Sequence, residues 1–231
     1  MNENLRSLPG GALGKRPLHF IFLLDASGSM SNGGKIQSLN TAIREAIPAI
    51  QEVADRNPGV EVLVRALKFS TQAEWHVGQA VPVHDFYWND IAAGGETAMG
   101  QALEMVSHVL SPDQIGRRAL PPVLVLVSDG LPTDDFRAGL KALMAQVWGK
   151  QAVRLAVAIG QDADLGTLKQ FIGKDEVPPV RANDPEALVQ WIRVVSVSAV
   201  ETSSTGGEGR HEKLSAELSG GATAAGPGSV W

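Results

Sequence analysis

The chain has 231 residues, of which 44% are hydrophobic and 19% charged, so it contains enough apolar material for a sizeable core. Its 20 Lys and Arg against 25 Asp and Glu give a net charge of -5, which argues against nucleic-acid and anionic-membrane partners. The chain contains no Cys, which excludes disulfides and thiolate metal sites and favours a cytoplasmic location. The sequence shows neither a signal-peptide pattern nor an apolar run of about 18 residues, so we expect no membrane insertion.

Composition separates a central domain from two tails. Residues 1–16 are rich in Gly, Pro and polar side chains, and residues 201–231 contain seven Gly and eight Ser or Thr. We expect both segments to be flexible and residues 17–200 to form one domain. Trp231 at the end of the second tail indicates either a docking peptide or a spacer whose aromatic residue is incidental.

Within the central domain, short apolar runs alternate with segments whose apolar residues recur every three or four positions. The former predict strands and the latter helices, in this chain order: strand 19–24, helix 36–54, strand 60–69, strand 72–77, helix 97–110, strand 122–128, helix 133–148, strand 153–159, helix 165–172 and helix 185–197. Four of the strands are almost continuously apolar, which is typical of strands covered on both faces of a sheet. The strand at 72–77 follows its predecessor after a short connection, which predicts a hairpin and an antiparallel edge strand.

This alternation predicts an α/β fold. We expect a doubly wound, mostly parallel sheet of about six strands, with helices on both faces and one antiparallel edge strand. In such sheets ligands bind at the carboxyl ends of the strands, near the point where the strand order reverses. The residues that directly follow the strands are therefore the candidates for a functional site.

Polar residues follow two of the predicted buried strands. Asp25, Ser27 and Ser29 come directly after the first strand, and Asp129 follows the fourth. Thr97, which lies after a Gly-Gly pair, opens the helix that precedes the fourth strand. Since the carboxyl ends of parallel strands meet at one edge of the sheet, two carboxylates and three hydroxyls are expected to converge there.

Hydroxyl and carboxylate oxygens of this kind suit a hard divalent cation. Mg²⁺ takes an octahedron of oxygens at about 2.0–2.1 Å and keeps several waters, so hydroxyls and water-bridged carboxylates suffice. An ion held by neutral hydroxyls retains much of its charge and attracts a further carboxylate, which a partner protein can supply. The sequence therefore predicts a Mg²⁺ site, with Mn²⁺ or Ca²⁺ as alternatives, that binds a protein.

The order and spacing of these segments resemble the metal-ion-dependent adhesion site of von Willebrand factor type A domains. The resemblance rests on D-A-S-G-S at 25–29, on Thr97 and on S-D-G at 128–130, and it extends over residues 17–199. The continuation D-G-L-P-T-D-D-F at 129–136 resembles the TerY-type branch of bacterial cytoplasmic proteins associated with tellurite resistance.

The resemblance implies a Rossmann-like domain and a role for each residue of the site. Ser27 and Ser29 would ligate the metal directly, and Thr97 would join or leave the ligand set with conformation. Asp25 and Asp129 would hold coordinated waters. The implied function is a non-enzymatic, metal-dependent adaptor in a stress-response or defence pathway, and its implied partners are a Ser/Thr kinase or a phosphatase of the same system.

Three further residues are candidates for partner binding. Glu96, directly before Thr97, either adds negative charge beside the metal or competes for the open coordination position. Asp134 either contacts a partner or serves with Thr133 at the start of the following helix, and the structural role is the favoured interpretation. Trp231 is the third candidate, through the docking peptide.

An enzymatic function is the alternative hypothesis. The sequence lacks the GxxxxGK[ST] and GxGxxG loops of nucleotide-binding enzymes and the GxSxG elbow of serine hydrolases. Phosphatases with an aspartyl nucleophile need a second Asp two positions after the first, where this chain has Ser27. We therefore expect no catalysis, and a metal-assisted hydrolase of a phosphorylated substrate remains the alternative.

Overall fold

The computed structural model describes residues 14–160, 163–173 and 178–182, and the isolated helical positions 186, 190 and 194. Six strands lie within these residues: β1 (Arg16–Asp25), β2 (Val60–Phe69), β3 (Ala73–Pro82), β4 (Val123–Ser128), β5 (Val153–Ile159) and β6 (Val180–Ala182). They form one sheet in the order β3-β2-β1-β4-β5-β6. The strand order therefore reverses at β1, because the chain continues to β2 on one side of it and reaches β4 on the other.

The sheet is parallel except at one edge. β1 pairs in parallel with both β2 and β4, and β4, β5 and β6 continue the parallel arrangement. β3 runs antiparallel to β2, as predicted for the strand at 72–77. Only residues 70–72 connect these two strands, which is enough for a hairpin and too short for a crossover helix.

Six α-helices, which pack around the sheet, are described from end to end: α1 (Lys35–Arg56), α2 (Met99–Val109), α3 (Pro112–Ile115), α4 (Phe136–Ala145), α5 (Val147–Gln151) and α6 (Leu165–Ile172). A 3₁₀ segment, Gly28–Gly34, connects β1 to α1, and a second, Val83–Asp85, follows β3. Every residue of β4 is buried, which requires cover on both faces of the sheet. The predicted fold class is therefore confirmed.

The longest helix follows the apolar period of its sequence. Ile36, Leu39, Ile43, Ile47 and Ile50 are buried along one face of α1, and their spacing is the pattern that predicts a helix at this place. The buried face holds α1 against the core. It thereby sets the direction in which the chain leaves the end of β1, where the candidate site lies.

The segment after β4 differs from the prediction of one helix over 133–148. The structure has two shorter helices, α4 and α5, separated at Gln146, whose backbone is extended. The start also differs, since α4 begins at Phe136 and its N-cap is Asp135, which accepts a hydrogen bond from the backbone of Ala138 at 2.9 Å. The prediction that Thr133 starts this helix is wrong, because Thr133 bonds to a different loop, described below.

Several predicted elements lie at the limit of the described residues. β6 has three residues, too few for an apolar pattern to reveal its place in the sequence. The predicted helix at 185–197 is described only at positions 186, 190 and 194, and the predicted tails fall outside the described residues apart from 14–16. None of the helices described in the structure has the length and apolar content needed to cross a membrane.

Candidate metal centre

The candidate site lies where β1 and β4 end side by side. Asp25 is the last residue of β1 and Ser128 the last of β4, and the two strands pair in parallel up to Leu24 and Val127. This edge is also the point at which the strand order reverses, where ligands of doubly wound sheets bind. The fold thus brings the loops at 25–29 and 128–130 together.

Asp25 is fully buried, and backbone and side-chain donors hold both of its carboxylate oxygens. Oδ1 accepts a hydrogen bond from the backbone N of Ser27 at 2.8 Å, and Oδ2 accepts one from the Ser128 hydroxyl at 2.5 Å. Burial raises the pKa of Asp25 above its usual range, the bonds from Ser128 and Ser27 oppose this shift, and the charge of Asp129 adds to it. The site therefore begins with a desolvated carboxylate whose orientation is fixed.

A chain of hydrogen bonds continues from the β1 loop to Asp129. The Ser27 and Ser29 hydroxyl oxygens are 3.0 Å apart, and Ser29 Oγ donates to Asp129 Oδ1 at 2.7 Å. The second oxygen of Asp129 accepts from Lys35 Nζ at 2.6 Å. Ser27 and Asp129 are buried whereas Ser29 is exposed, so this row of oxygens leads from the core to the surface.

Backbone contacts hold the loop at 94–97 against the β1 loop. The N–H of Gly28 donates to the carbonyl of Gly95 at 2.9 Å, and the N–H of Gly94 donates to the carbonyl of Ala26 at 2.8 Å. Gly95 has a φ of +80°, and a Cβ at this position would lie 2.2 Å from the Thr71 hydroxyl. Only glycine therefore fits here without displacing the loop that carries the next site residue.

Thr97 is buried in this third loop and is positioned by the loop after β4. Its backbone N–H donates to the Thr133 hydroxyl at 3.1 Å, and the Thr133 N–H donates back to the Thr97 carbonyl at 3.0 Å. This reciprocal pair explains why Thr133 is not available at the start of α4. It also couples the third loop to the chain that follows Asp129.

The side-chain oxygens converge beside Gly130. A Cβ built at Gly130 would lie 3.7 Å from Thr97 Oγ1, 3.9 Å from Ser29 Oγ and 4.0 Å from Asp25 Oδ2. The space beside Gly130, in the loop after β4, is thus bordered by oxygens from the two other loops. No three His, Asp or Glu side chains cluster anywhere in the described residues, so a cation here depends on hydroxyls and water as much as on carboxylates. That donor set fits a hard divalent ion such as Mg²⁺.

The three residues predicted to touch a partner have different positions. Glu96 is exposed beside Thr97. Asp134 is also exposed, but its two oxygens accept from the backbone N–H groups of Gly100 and Gln101, each at 2.8 Å, in the first turn of α2. It therefore stabilises the N-terminus of a helix other than the one that follows it in sequence. Trp231 lies outside the described residues.

Two residues of the site were not found from the sequence. Ser128 orients Asp25, and its only sequence signal is its place directly before Asp129. Lys35 stands ten positions after Asp25, and a 3₁₀ segment with left-handed Gly33 and Gly34 returns it to the site. The glycine pair signals a turn, but not which side chain the turn brings back.

The site brings side-chain oxygens from three loops together at the switch point of a doubly wound sheet. Comparison with known protein families gives a match for this part of the chain. Residues 20–131 match the family model of the von Willebrand factor type A domain. A search of curated proteins gives no match to the sequence.

Solved structures share the fold. The chain is similar to a von Willebrand factor type A structure from Catenulispora acidiphila, with a TM-score of 0.62 and 16% identity over 80% of this chain and 43% of that chain. It is similar to the pilus adhesin SpaC from Lactobacillus rhamnosus GG, with a TM-score of 0.63 and 13% identity over 81% of this chain and 31% of that chain. It is also similar to proximal thread matrix protein 1 from the mussel byssus, solved with zinc in its MIDAS motif, with a TM-score of 0.58 and 15% identity over 80% of this chain and 49% of that chain.

These findings confirm the expected von Willebrand factor type A domain at the level of the fold. The chain spans less than half of the length of each of the three solved chains. At these identities the likeness concerns the fold alone, and the roles of individual residues rest on the geometry of this chain.

Proposed function

We propose that this domain is a metal-dependent protein-binding module, which holds Mg²⁺ at the carboxyl edge of its sheet and captures an acidic residue of a partner. The observation that carries the proposal is the convergence of the Asp25, Ser29 and Thr97 oxygens on the space beside Gly130. Asp25 and Ser29 belong to the loop after β1 and Thr97 to the loop at 94–97, and burial and backbone bonds fix both loops.

Within this proposal each residue has one role. Ser27, Ser29 and Thr97 hold the ion through neutral oxygens, and Asp25 and Asp129 hold it through water, with Mn²⁺ or Ca²⁺ as alternative ions. The bound ion supplies an open coordination position for a carboxylate from outside. Ser29 and Glu96 are both exposed at this edge, so a partner reaches the site from their side.

Two of the structurally similar proteins support a binding function and a divalent ion. One is a pilus adhesin, and another is a byssal matrix protein solved with zinc in its MIDAS motif. For this chain we propose an adaptor without catalytic activity.

A finer proposal concerns the pathway. The sequence at 129–136 resembles the TerY-type branch, and the chain contains no Cys, which together support a cytoplasmic role in stress response of the tellurite-resistance type. A Ser/Thr kinase or a phosphatase of the same system is the proposed partner. Glu96, Asp134 and Trp231 are the proposed contacts beyond the metal, and Asp134 can make one only with the oxygen lone pairs that α2 leaves unused.

The metal-assisted hydrolase is the competing function, and the surroundings of the serines favour the adaptor. In the described structure the hydroxyls of Ser27 and Ser29 hydrogen-bond to each other, and Ser29 donates to Asp129. A nucleophilic serine instead needs a base such as imidazole. A phosphatase assay of the purified protein with Mg²⁺ or Mn²⁺ separates the two functions. Turnover that disappears in Ser27→Ala would favour the hydrolase.

Calorimetric titration with Mg²⁺ tests the metal site. We expect binding in the wild type and its loss in Ser27→Ala, because one neutral ligand is removed. Ser107→Ala is the matched control: Ser107 is equally buried, but it lies on α2 and donates to the Glu104 carbonyl. Unchanged affinity in Ser27→Ala would contradict the proposed site.

The adaptor mechanism needs a second measurement. Thr97→Ala should abolish chelator-sensitive capture of the proposed kinase or phosphatase partner, while circular dichroism shows an unchanged fold. Capture that survives both the substitution and the chelator would move the partner interface away from the metal.

A further inference from the structure

Lys35 is a largely buried lysine that forms an ion pair with a residue of the candidate metal site. Its Nζ lies 2.6 Å from Asp129 Oδ2, and the side chains of Lys35 and Asp129 are 17% and 0% exposed. The chain reaches this position through Gly33 and Gly34, with φ values of 61° and 74°, which end the 3₁₀ segment and start α1 beside the site. The ammonium group is therefore held at the site by the backbone as well as by charge.

The helix itself does not account for a lysine at this position. Lys35 is the first residue of α1, the N-cap Gly34 provides no side-chain acceptor, and the first turn contains no acidic residue. A positive charge at a helix N-terminus opposes the helix dipole. Asp129 offsets this unfavourable placement, so the reason for the charge lies in the site and not in the helix.

The charge balance of the site shows what Lys35 does there. Asp25 and Asp129 contribute two carboxylates, and Lys35 places one ammonium against Asp129. A divalent cation bound here would therefore lie near one more positive charge than the same site would have without Lys35. Repulsion by Lys35 weakens metal binding, and the same charge strengthens attraction toward a carboxylate from outside.

We infer that Lys35 is an internal cation of the site, which neutralises Asp129, sets a low affinity for the divalent metal and keeps the loaded site positive toward its partner. This inference rests on the proposed metal-binding function and adds a residue that tunes it. Lys35 is a positioning and affinity-setting residue, which acts on the site through its contact with Asp129.

Calorimetric titration of the full-length chain with Mg²⁺ alone tests the inference. Lys35→Met keeps the length of the side chain and removes its charge, and we expect Mg²⁺ affinity to rise on the order of tenfold. Lys35→Arg keeps the charge and should stay within about twofold of the wild type. Lys15→Met is the matched control, because Lys15 is exposed and directly precedes β1, whose other end carries the site.

Thermal unfolding provides a second readout. In chelator, Lys35→Met should melt below the wild type because Asp129 keeps a buried charge without this partner, and added Mg²⁺ should raise its melting temperature by more than it raises that of the wild type. If Lys35→Met fails to fold, Lys35→Gln takes its place in both measurements.

The outcomes separate this inference from the function on which it rests. Equal Mg²⁺ affinity in the wild type and Lys35→Met would overturn the inference and leave the metal site intact. An affinity raised equally by Lys35→Arg would also overturn it, since the side-chain shape and not the charge would then matter. Absence of Mg²⁺ binding in the wild type and in Lys35→Met alike would overturn both.

Discussion

Two clusters of buried polar side chains adjoin β1, and they are built in opposite ways. In the first, Arg65 Nη1 on β2 lies 2.9 Å from His19 Nδ1 on β1, and Arg65 Nε donates to the Gly78 carbonyl at 3.2 Å. Because a guanidinium only donates, His19 accepts at Nδ1 and is neutral. Burial, helped by the charge of Arg65, lowers the pKa of His19 to about 4. Arg65 thus provides a donor to each of these two acceptors, and His19 and Arg65 are both buried, so we call this the closed cluster.

The second cluster, at the carboxyl end of β1, contains two carboxylates and reaches the surface, so we call it the open cluster. Asp25 and Asp129 place two carboxylates close together, and the row of oxygens ends at the exposed Ser29. Two carboxylates so close together repel each other, and a cation that enters from solvent would relieve this repulsion. The presence of paired carboxylates with access to solvent, and not burial alone, therefore distinguishes the candidate binding site from the structural cluster.

The largest expected effect comes from removing a charge of the open cluster. Asp25→Asn should lower Mg²⁺ affinity by at least about a hundredfold, because the amide cannot supply the negative charge that holds the ion's waters. The free energy of unfolding in chelator should change by no more than about 1 kcal/mol, since Asn keeps the shape and removes a charge whose burial is unfavourable.

Calorimetry and urea unfolding check these two expectations. Asp164→Asn serves as the matched control, because Asp164 caps α6 through the backbone of Gly166 and Thr167 and lies outside the candidate site. If Asp25→Asn binds Mg²⁺ as tightly as the wild type, the open cluster is not a metal site and does not differ in function from the closed cluster.

The closed cluster predicts a pH dependence of stability. His19 has a pKa of about 4 in the folded protein and 6.5 as its reference value, so between these values the unfolded state binds more protons. Its contribution to the free energy of unfolding is therefore fully present above pH 6.5 and falls as the pH drops toward 4, by up to about 1.4 kcal/mol per pH unit.

Urea unfolding at pH 4.5, 5.5 and 6.5, in chelator, measures this effect. His19→Gln retains an acceptor for Arg65 and should show a shallower loss of stability with falling pH than the wild type. His108→Gln, at an exposed position of α2, should follow the wild type. Identical slopes for all three proteins would show that the His19 cluster does not resist protonation.

The sequence predicts those strands and helices whose own residues show an apolar run or a helical apolar period. β2 and β5 were placed at their observed bounds by continuous apolar runs, and α1 by its buried face. The residues that follow β1 and β4 could likewise be singled out, because parallel strands bring their carboxyl ends to one edge whatever the details of the loops.

Contacts that depend on tertiary structure could not be predicted in this way. The sequence places Asp134 at the start of the helix that follows it, but its carboxylate accepts hydrogen bonds from the N-terminus of α2. The partner of Thr133 is Thr97, 36 positions away, and Lys35 returns to Asp129 through a turn of two left-handed glycines. In each case the polar side chain has several suitable partners, and only the packing of the helices selects one.

The smallest expected effect concerns the bond that joins the two strands at the site. Ser128 donates to Asp25 Oδ2 at 2.5 Å, and Ser27 N–H holds the other oxygen. Ser128→Ala leaves Asp25 held from one side, so we expect Mg²⁺ affinity to fall by about tenfold and the free energy of unfolding by about 1 kcal/mol. Ser107→Ala, which also removes a buried hydroxyl, should lower stability without changing Mg²⁺ affinity. Calorimetry and urea unfolding of both variants measure these effects. If Ser128→Ala loses stability but keeps its Mg²⁺ affinity, Ser128 has a structural role like that of His19 and Arg65, and the open cluster begins at Asp25.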